Sequence, residues 1–115
     1  MATIRSFTSL EQSKKLAGFL PLESADMLWE QHGAEPYVTI KPWTTIGKSI
    51  GCHCLSCWSL AALLDIFPKI HGVKPILDLE ENSIQYTGID LYVVADNPVD
   101  ACVAMIELLH ELKML

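Results

Sequence analysis

The chain has 115 residues, half of them apolar, and carries 14 acidic against 8 basic residues for a formal net charge of −6. That length suits one domain and is short for two, and so apolar a composition excludes a disordered chain. The Lys and Arg residues are scattered, with only Lys14 and Lys15 adjacent, so no basic stripe marks a nucleic-acid binder, and an acidic partner or an anionic membrane surface is disfavoured.

In chain order, Thr8 and Glu11 fit a capping box that opens a first helix, because a hydroxyl and a carboxylate three residues apart satisfy orphan backbone N–H groups. Leu10, Leu16, Ala17 and Leu20 form its apolar stripe, and Gly18 and Pro21 end it. Ser24–Glu30 alternates apolar Ala25, Met27 and Trp29 with Asp26 and Glu30, which fits a half-buried strand or a continued helix. Gln31–Pro36 reads as a turn, and Tyr37–Lys41 as a strand that Pro42 stops or places at a sheet edge. Together these runs predict a hairpin. Residues 44–55, with Gly47 and Gly51, read as a loop.

Ser56 reads as the N-cap of a second helix over Cys57–Phe67, apolar nearly all round and so expected to be buried centrally, with Pro68 ending it. Ile76–Leu79, Ser83–Thr87 and Leu91–Ala95 are β-like runs parted by Glu81-Asn82 and by Gly88, which predicts an antiparallel meander. A last helix starts where Asn97 caps, Pro98 takes the first helical position and Asp100 lies in the first turn. Val99, Cys102, Val103, Ile106, Leu109 and Lys113 supply its period. The fold read from these elements is α+β. It is one domain over residues 1–115, with a mainly antiparallel sheet of about five strands and three helices, ordered helix, two strands, helix, three strands, helix.

No stretch of about 18 apolar residues offers a membrane span, and Met1–Phe7 contains Arg5 but no apolar run behind it to make a secretory signal. A cytoplasmic location is therefore expected, and with it reduced Cys52, Cys54, Cys57 and Cys102. Export would instead permit two disulfides.

The one cluster with chemical potential is Cys52-His53-Cys54-x-x-Cys57. Thiolate and imidazole are the usual zinc ligands, and short spacers let a turn wrap a tetrahedral ion. Cys52, Cys54 and Cys57 are the metal candidates, with a fourth ligand to come from His53, Cys102, His32, His71 or His110. Against this stands ordinary packing, Cys57 serving as a small hydrophobe while Cys52 and Cys54 lie in the loop. A Cys57 thiolate activated at a helix N-terminus is a third reading, although no signature of a Cys hydrolase accompanies it. No cofactor is expected. Gly47-Lys48-Ser49 echoes the end of a phosphate loop, but Pro42 stands where its first glycine belongs. Trp58 reads as core. Trp43, beside Pro42, reads as packed or as an exposed anchor for a partner.

Glu11–Ala17 followed by Leu20–Met27, then Cys57–Leu64 and Asp96–Cys102, form a pattern that resembles small uncharacterised proteins of Bacteroides and their phages or mobile elements. The resemblance implies a cytoplasmic protein of a gut bacterium or infected cell, and assigns no catalytic or ligand-binding residue. With no convergent catalytic set, the expected function is that of a non-enzymatic interaction or accessory protein with a protein partner, a homodimer through an apolar face or a free sheet edge included. The alternatives are a zinc module on Cys52, Cys54 and Cys57 and, third, a Cys-dependent enzyme.

Overall fold

A computed structural model describes residues 6–31, 36–39 and 53–115. They fall into two compact units, one spanning Phe7–Ala62 and the other built on Leu63–Leu115. The fold is α+β, and the predicted order of helix, two strands, helix, three strands, helix holds, with one further strand before the second helix. Among the described residues the strands form two three-stranded antiparallel sheets, where one sheet of about five strands was expected.

In the first unit, helix α1 (Leu10–Ala17) is capped by Ser9, not by Thr8. The Ser9 hydroxyl accepts the Gln12 N–H at 3.1 Å, and the Gln12 carboxamide accepts the Ser9 N–H at 2.9 Å. This is the capping box displaced by one residue. Thr8 is unavailable as a cap because its hydroxyl accepts the Trp58 N–H at 3.1 Å. Strands β1 (Met27–Gln31), β2 (Pro36–Thr39) and β3 (His53–Cys57) follow, ordered β2-β1-β3. Trp29 of β1 pairs with Val38 on one side and Leu55 on the other. The β1–β2 hairpin is the predicted one, and strand takes the disputed Ser24–Glu30 run from Met27 onward, after a 3-10 turn over Leu22–Ser24. Residues 32–35, 40 and 41 of the predicted turn and strand lie outside the described residues, as do 44–52 of the predicted loop and Trp43.

The expected helix start at Ser56 is corrected: Ser56 and Cys57 belong to β3, and helix α2 covers Leu60–Ile66. Ser59 caps it, its hydroxyl accepting the Ala62 N–H at 3.1 Å while its own N–H donates to Asp26 at 2.9 Å. Trp58 is fully buried, but in the segment between strand and helix. Of α2 itself only Leu63 is buried, so this is not the central helix its apolar composition predicts.

That place in the second unit belongs to α3 (Pro98–Glu111), which buries Val99, Ala101, Cys102, Val103, Met105, Ile106 and Leu109. It begins as predicted, Asn97 accepting the Asp100 N–H at 2.9 Å with Pro98 in the first turn. Strands β4 (Ile76–Asp78), β5 (Ser83–Tyr86) and β6 (Leu91–Val94) form the meander, ordered β4-β5-β6, and α3 packs on β5 and β6. Before it, His71 (φ 53°) and Gly72 (φ 81°) turn the chain so that Ile70 and Val73 exchange both backbone hydrogen bonds. Positive φ at both central residues is the signature of a type I′ turn. No helix among the described residues is long and apolar enough to cross a membrane.

Candidate functional site

Among the described side chains of the first unit, the Cys57 thiol and the Thr8 and Ser13 hydroxyls are drawn inward. The Thr8 hydroxyl shares a hydrogen bond with Ser13 Oγ at 2.8 Å and lies 3.5 Å from Cys57 Sγ, and all three residues are buried. The Thr8 carbonyl accepts from Trp29 Nε1 at 3.3 Å and from Cys57 Sγ at 3.6 Å, while the Thr8 N–H donates to the Trp58 carbonyl at 2.9 Å. Thr8 therefore stitches the chain before α1 onto the end of β3, with Phe7 edge-on to Trp29 at 6.0 Å between ring centres. Burial raises the Cys57 pKa, with the Asp26 charge adding to it, against hydrogen bonds from Thr8 and Ser13 that lower it. A thiol held protonated in this way is a poor nucleophile. In the second unit Cys102 is fully buried on α3, and burial pushes its pKa up to about 12.

Of the metal candidates, Cys52 lies outside the described residues, Cys54 occupies the β3 position opposite Glu30, and Cys57 is the buried thiol beside Thr8. Of the further ligands considered, His32 lies outside the described residues and His53 opens β3 opposite Gln31. His71 and His110 are exposed in the other unit. Among the described residues, no group of three or more His, Cys, Asp or Glu could hold a metal ion.

The second unit has the opposite character. Its sheet has a covered face, carrying buried Ile84, Tyr86 and Leu91, and an open one. Register places Ile76, Gln85 and Tyr92 in one row of the open face and Asp78, Ser83 and Val94 in the next, where Ser83 is itself buried. Ile76 is 55% exposed, Tyr92 48% and Val94 52%, and Leu79, just beyond β4, is 65% exposed. The Tyr92 hydroxyl donates to the Glu81 carboxylate, which holds the phenol above its usual pKa. Asp78 folds the β4–β5 turn by accepting the N–H groups of Glu80 and Glu81 at 2.9 and 3.1 Å. From Pro75 to Leu112 the chain has eight Asp and Glu residues and neither Lys nor Arg. Lys74 and Lys113 bound this stretch, and within it every charged side chain is acidic. None of this was singled out from the sequence, where Leu91–Val94 is an unbroken apolar run whose faces cannot be told apart by alternation.

The chain was compared with protein-family models, with curated proteins and with solved structures, and it matches none of them.

Proposed function

We propose that this chain is a non-enzymatic interaction module that holds a protein partner against the open face of its second sheet. The observation that carries the reading is the placement of Ile76, Tyr92 and Val94 on one solvent-facing side of a three-stranded sheet. Large apolar side chains standing together in water are a feature of binding surfaces. The buried thiols support the same reading, since Cys57 and Cys102 are withdrawn from any substrate. A role as an accessory factor of a Bacteroides phage or mobile element rests on the sequence resemblance alone.

The test uses the full-length chain as bait beside an Ile76→Asp/Val94→Asp variant, which alters exposed positions only. A partner recovered by the parent chain should be depleted at least about tenfold by the variant, and the same loss should appear when both proteins are purified and mixed. Equal recovery by parent and variant, with circular dichroism unchanged, overturns the reading.

A further inference from the structure

We infer that the outer edge of β6 takes up a basic, extended peptide segment as a fourth strand, a proposal that rests on the interaction reading above and names its partner's chemistry. Among the described residues, β4 and β6 are the two edges of the second sheet. They are not equivalent. β4 has three residues and follows Pro75, which lacks an N–H, so this edge is blunted in the way natural sheets avoid pairing. β6 is Leu-Tyr-Val-Val, without Pro, Lys or a charged side chain of its own.

The direction of its free backbone groups follows from one hydrogen bond. The Ala95 N–H donates inward to the Asn82 carbonyl at 3.0 Å. Antiparallel pairing alternates, so Val93 also faces β5, and the N–H and C=O groups of Tyr92 and Val94 point away from the sheet. The side chains of these same two residues stand on the open face. An added strand would thus gain backbone hydrogen bonds and apolar contacts from the same residues, as strand addition to a sheet edge requires.

Charge selects the occupant. Exposed Asp90 and Asp96 flank β6, within the stretch that lacks any Lys or Arg. A second copy is disfavoured in the register that sets Tyr92 against Val94. Pairing β6 with its own copy so that Tyr92 meets Val94, and Val94 meets Tyr92, brings Asp90 opposite Asp96 at both ends, and like charges directly opposite destabilise a strand pair. A strand with a Lys or Arg at each end, spaced as Asp90 and Asp96 are, replaces both repulsions with attractions and is drawn in by the acidic field.

The probe is a seven-residue, end-capped peptide of alternating threonine and valine with a lysine at each end, titrated into the full-length chain and followed by amide NMR. Binding should shift Leu91–Val94 and should slow hydrogen exchange at the Tyr92 and Val94 amides, which point away from β5. N-methylating one alternate set of the peptide's N–H groups should abolish binding, and N-methylating the other set should leave it intact. Glutamate in place of both lysines, or an Asp90→Lys/Asp96→Lys variant of the chain, should each weaken binding by roughly fivefold or more at low salt.

The proposal is overturned by any of three results: no shift up to millimolar peptide, equal binding by both methylated peptides, or a concentration-dependent dimer protected at Tyr92 and Val94. Ile76→Asp lies on β4, away from this edge, and separates the two proposals. Loss of the captured partner in that variant with no peptide binding by the parent chain defeats strand addition alone. Peptide binding with capture unaffected by the open-face variant defeats the open-face reading alone.

Discussion

Replacing Thr8 with valine tests the organisation of the first unit most directly, because the two side chains share a shape and differ in one hydroxyl. That hydroxyl accepts the buried Trp58 N–H at 3.1 Å and is bonded to buried Ser13 Oγ at 2.8 Å. Thr8→Val leaves both groups without this partner in the interior. An unsatisfied buried group costs about 1–3 kcal/mol, so the substitution should cost about 2–4 kcal/mol. Against the ~5–15 kcal/mol that holds a typical domain together, that is a large fraction. Ser13→Ala should cost only about 1 kcal/mol, since Trp58 keeps its acceptor. The double variant should lose less than the sum, because Ser13 no longer leaves an orphaned hydroxyl. The coupling should be about 0.5–1 kcal/mol. Urea unfolding followed by tryptophan fluorescence reads all three, with a midpoint shift of roughly 1–2 M expected for Thr8→Val at an unchanged slope. A cost below about 0.5 kcal/mol, or no larger than that of Ser13→Ala, would refute the role of Thr8 as the stitch between α1 and β3.

Three further outcomes are expected. Cys57 and Cys102, buried and held protonated, should resist iodoacetamide at about pH 8 in the folded chain and react once it is unfolded. Fragment mass spectrometry locates the label, and rapid labelling of either residue in the native state contradicts the packing. Burial pushes Tyr86 and Cys102 each up to about 12. The native state therefore keeps protons that the unfolded chain releases above about pH 9 for the cysteine and about pH 10 for the tyrosine. Stability should be level below that range and fall as pH rises towards 12, by at most about 1.4 kcal/mol per pH unit for Cys102 and by less for Tyr86, whose hydroxyl is partly screened by solvent. In Cys102→Ala the fall should be shallower from about pH 9 upward while buried Cys57 keeps the onset in place, and a flat profile from pH 8 to about 11 in the parent chain would exclude the effect. Lys113 holds φ 60° just after α3, where Met114 N–H bonds back to the Leu109 carbonyl at 2.8 Å. Glycine is the usual residue in that position, so Lys113→Gly should stabilise the chain by about 0.5–1 kcal/mol in the same urea assay, and any loss of stability would argue against this helix end.

What could be read in advance was what neighbouring residues decide among themselves. The start of α3 is written in Asn97, Pro98 and Asp100, and the meander in three apolar runs with turn residues between them. Where two nearby residues offered the same local chemistry, only tertiary contacts chose between them. Thr8 and Ser9 can both cap α1, and Thr8 is claimed by Trp58 fifty residues away. Ser56 and Ser59 can both cap α2, and β1 claims Ser56 by pairing it with Leu28. The same pairing turns His53–Cys57 into a strand, although a Cys- and His-rich segment behind two glycines shows no strand pattern of its own. That strand completes the first sheet, which is why the six described strands divide three and three.

Energetics connects the open face to the edge beside it. Ile76, Tyr92 and Val94 are each about half exposed, and completing their burial would return about 1 kcal/mol apiece, ~3 kcal/mol in all. Bringing two molecules together costs at least ~4 kcal/mol in lost freedom, and often more. The three side chains alone therefore give only a weak hold on a partner. A partner lying flat on this face would be weak, whereas one that also paired with β6 would add backbone hydrogen bonds and, if basic, two charge pairs with Asp90 and Asp96. The open face and the unblunted edge share Tyr92 and Val94, so a strand docked on β6 uses both at once. Affinity should then depend on both together: removing the apolar contribution at Val94 or the charge at Asp96 should each weaken the complex, and both together should bring it to the limit of detection.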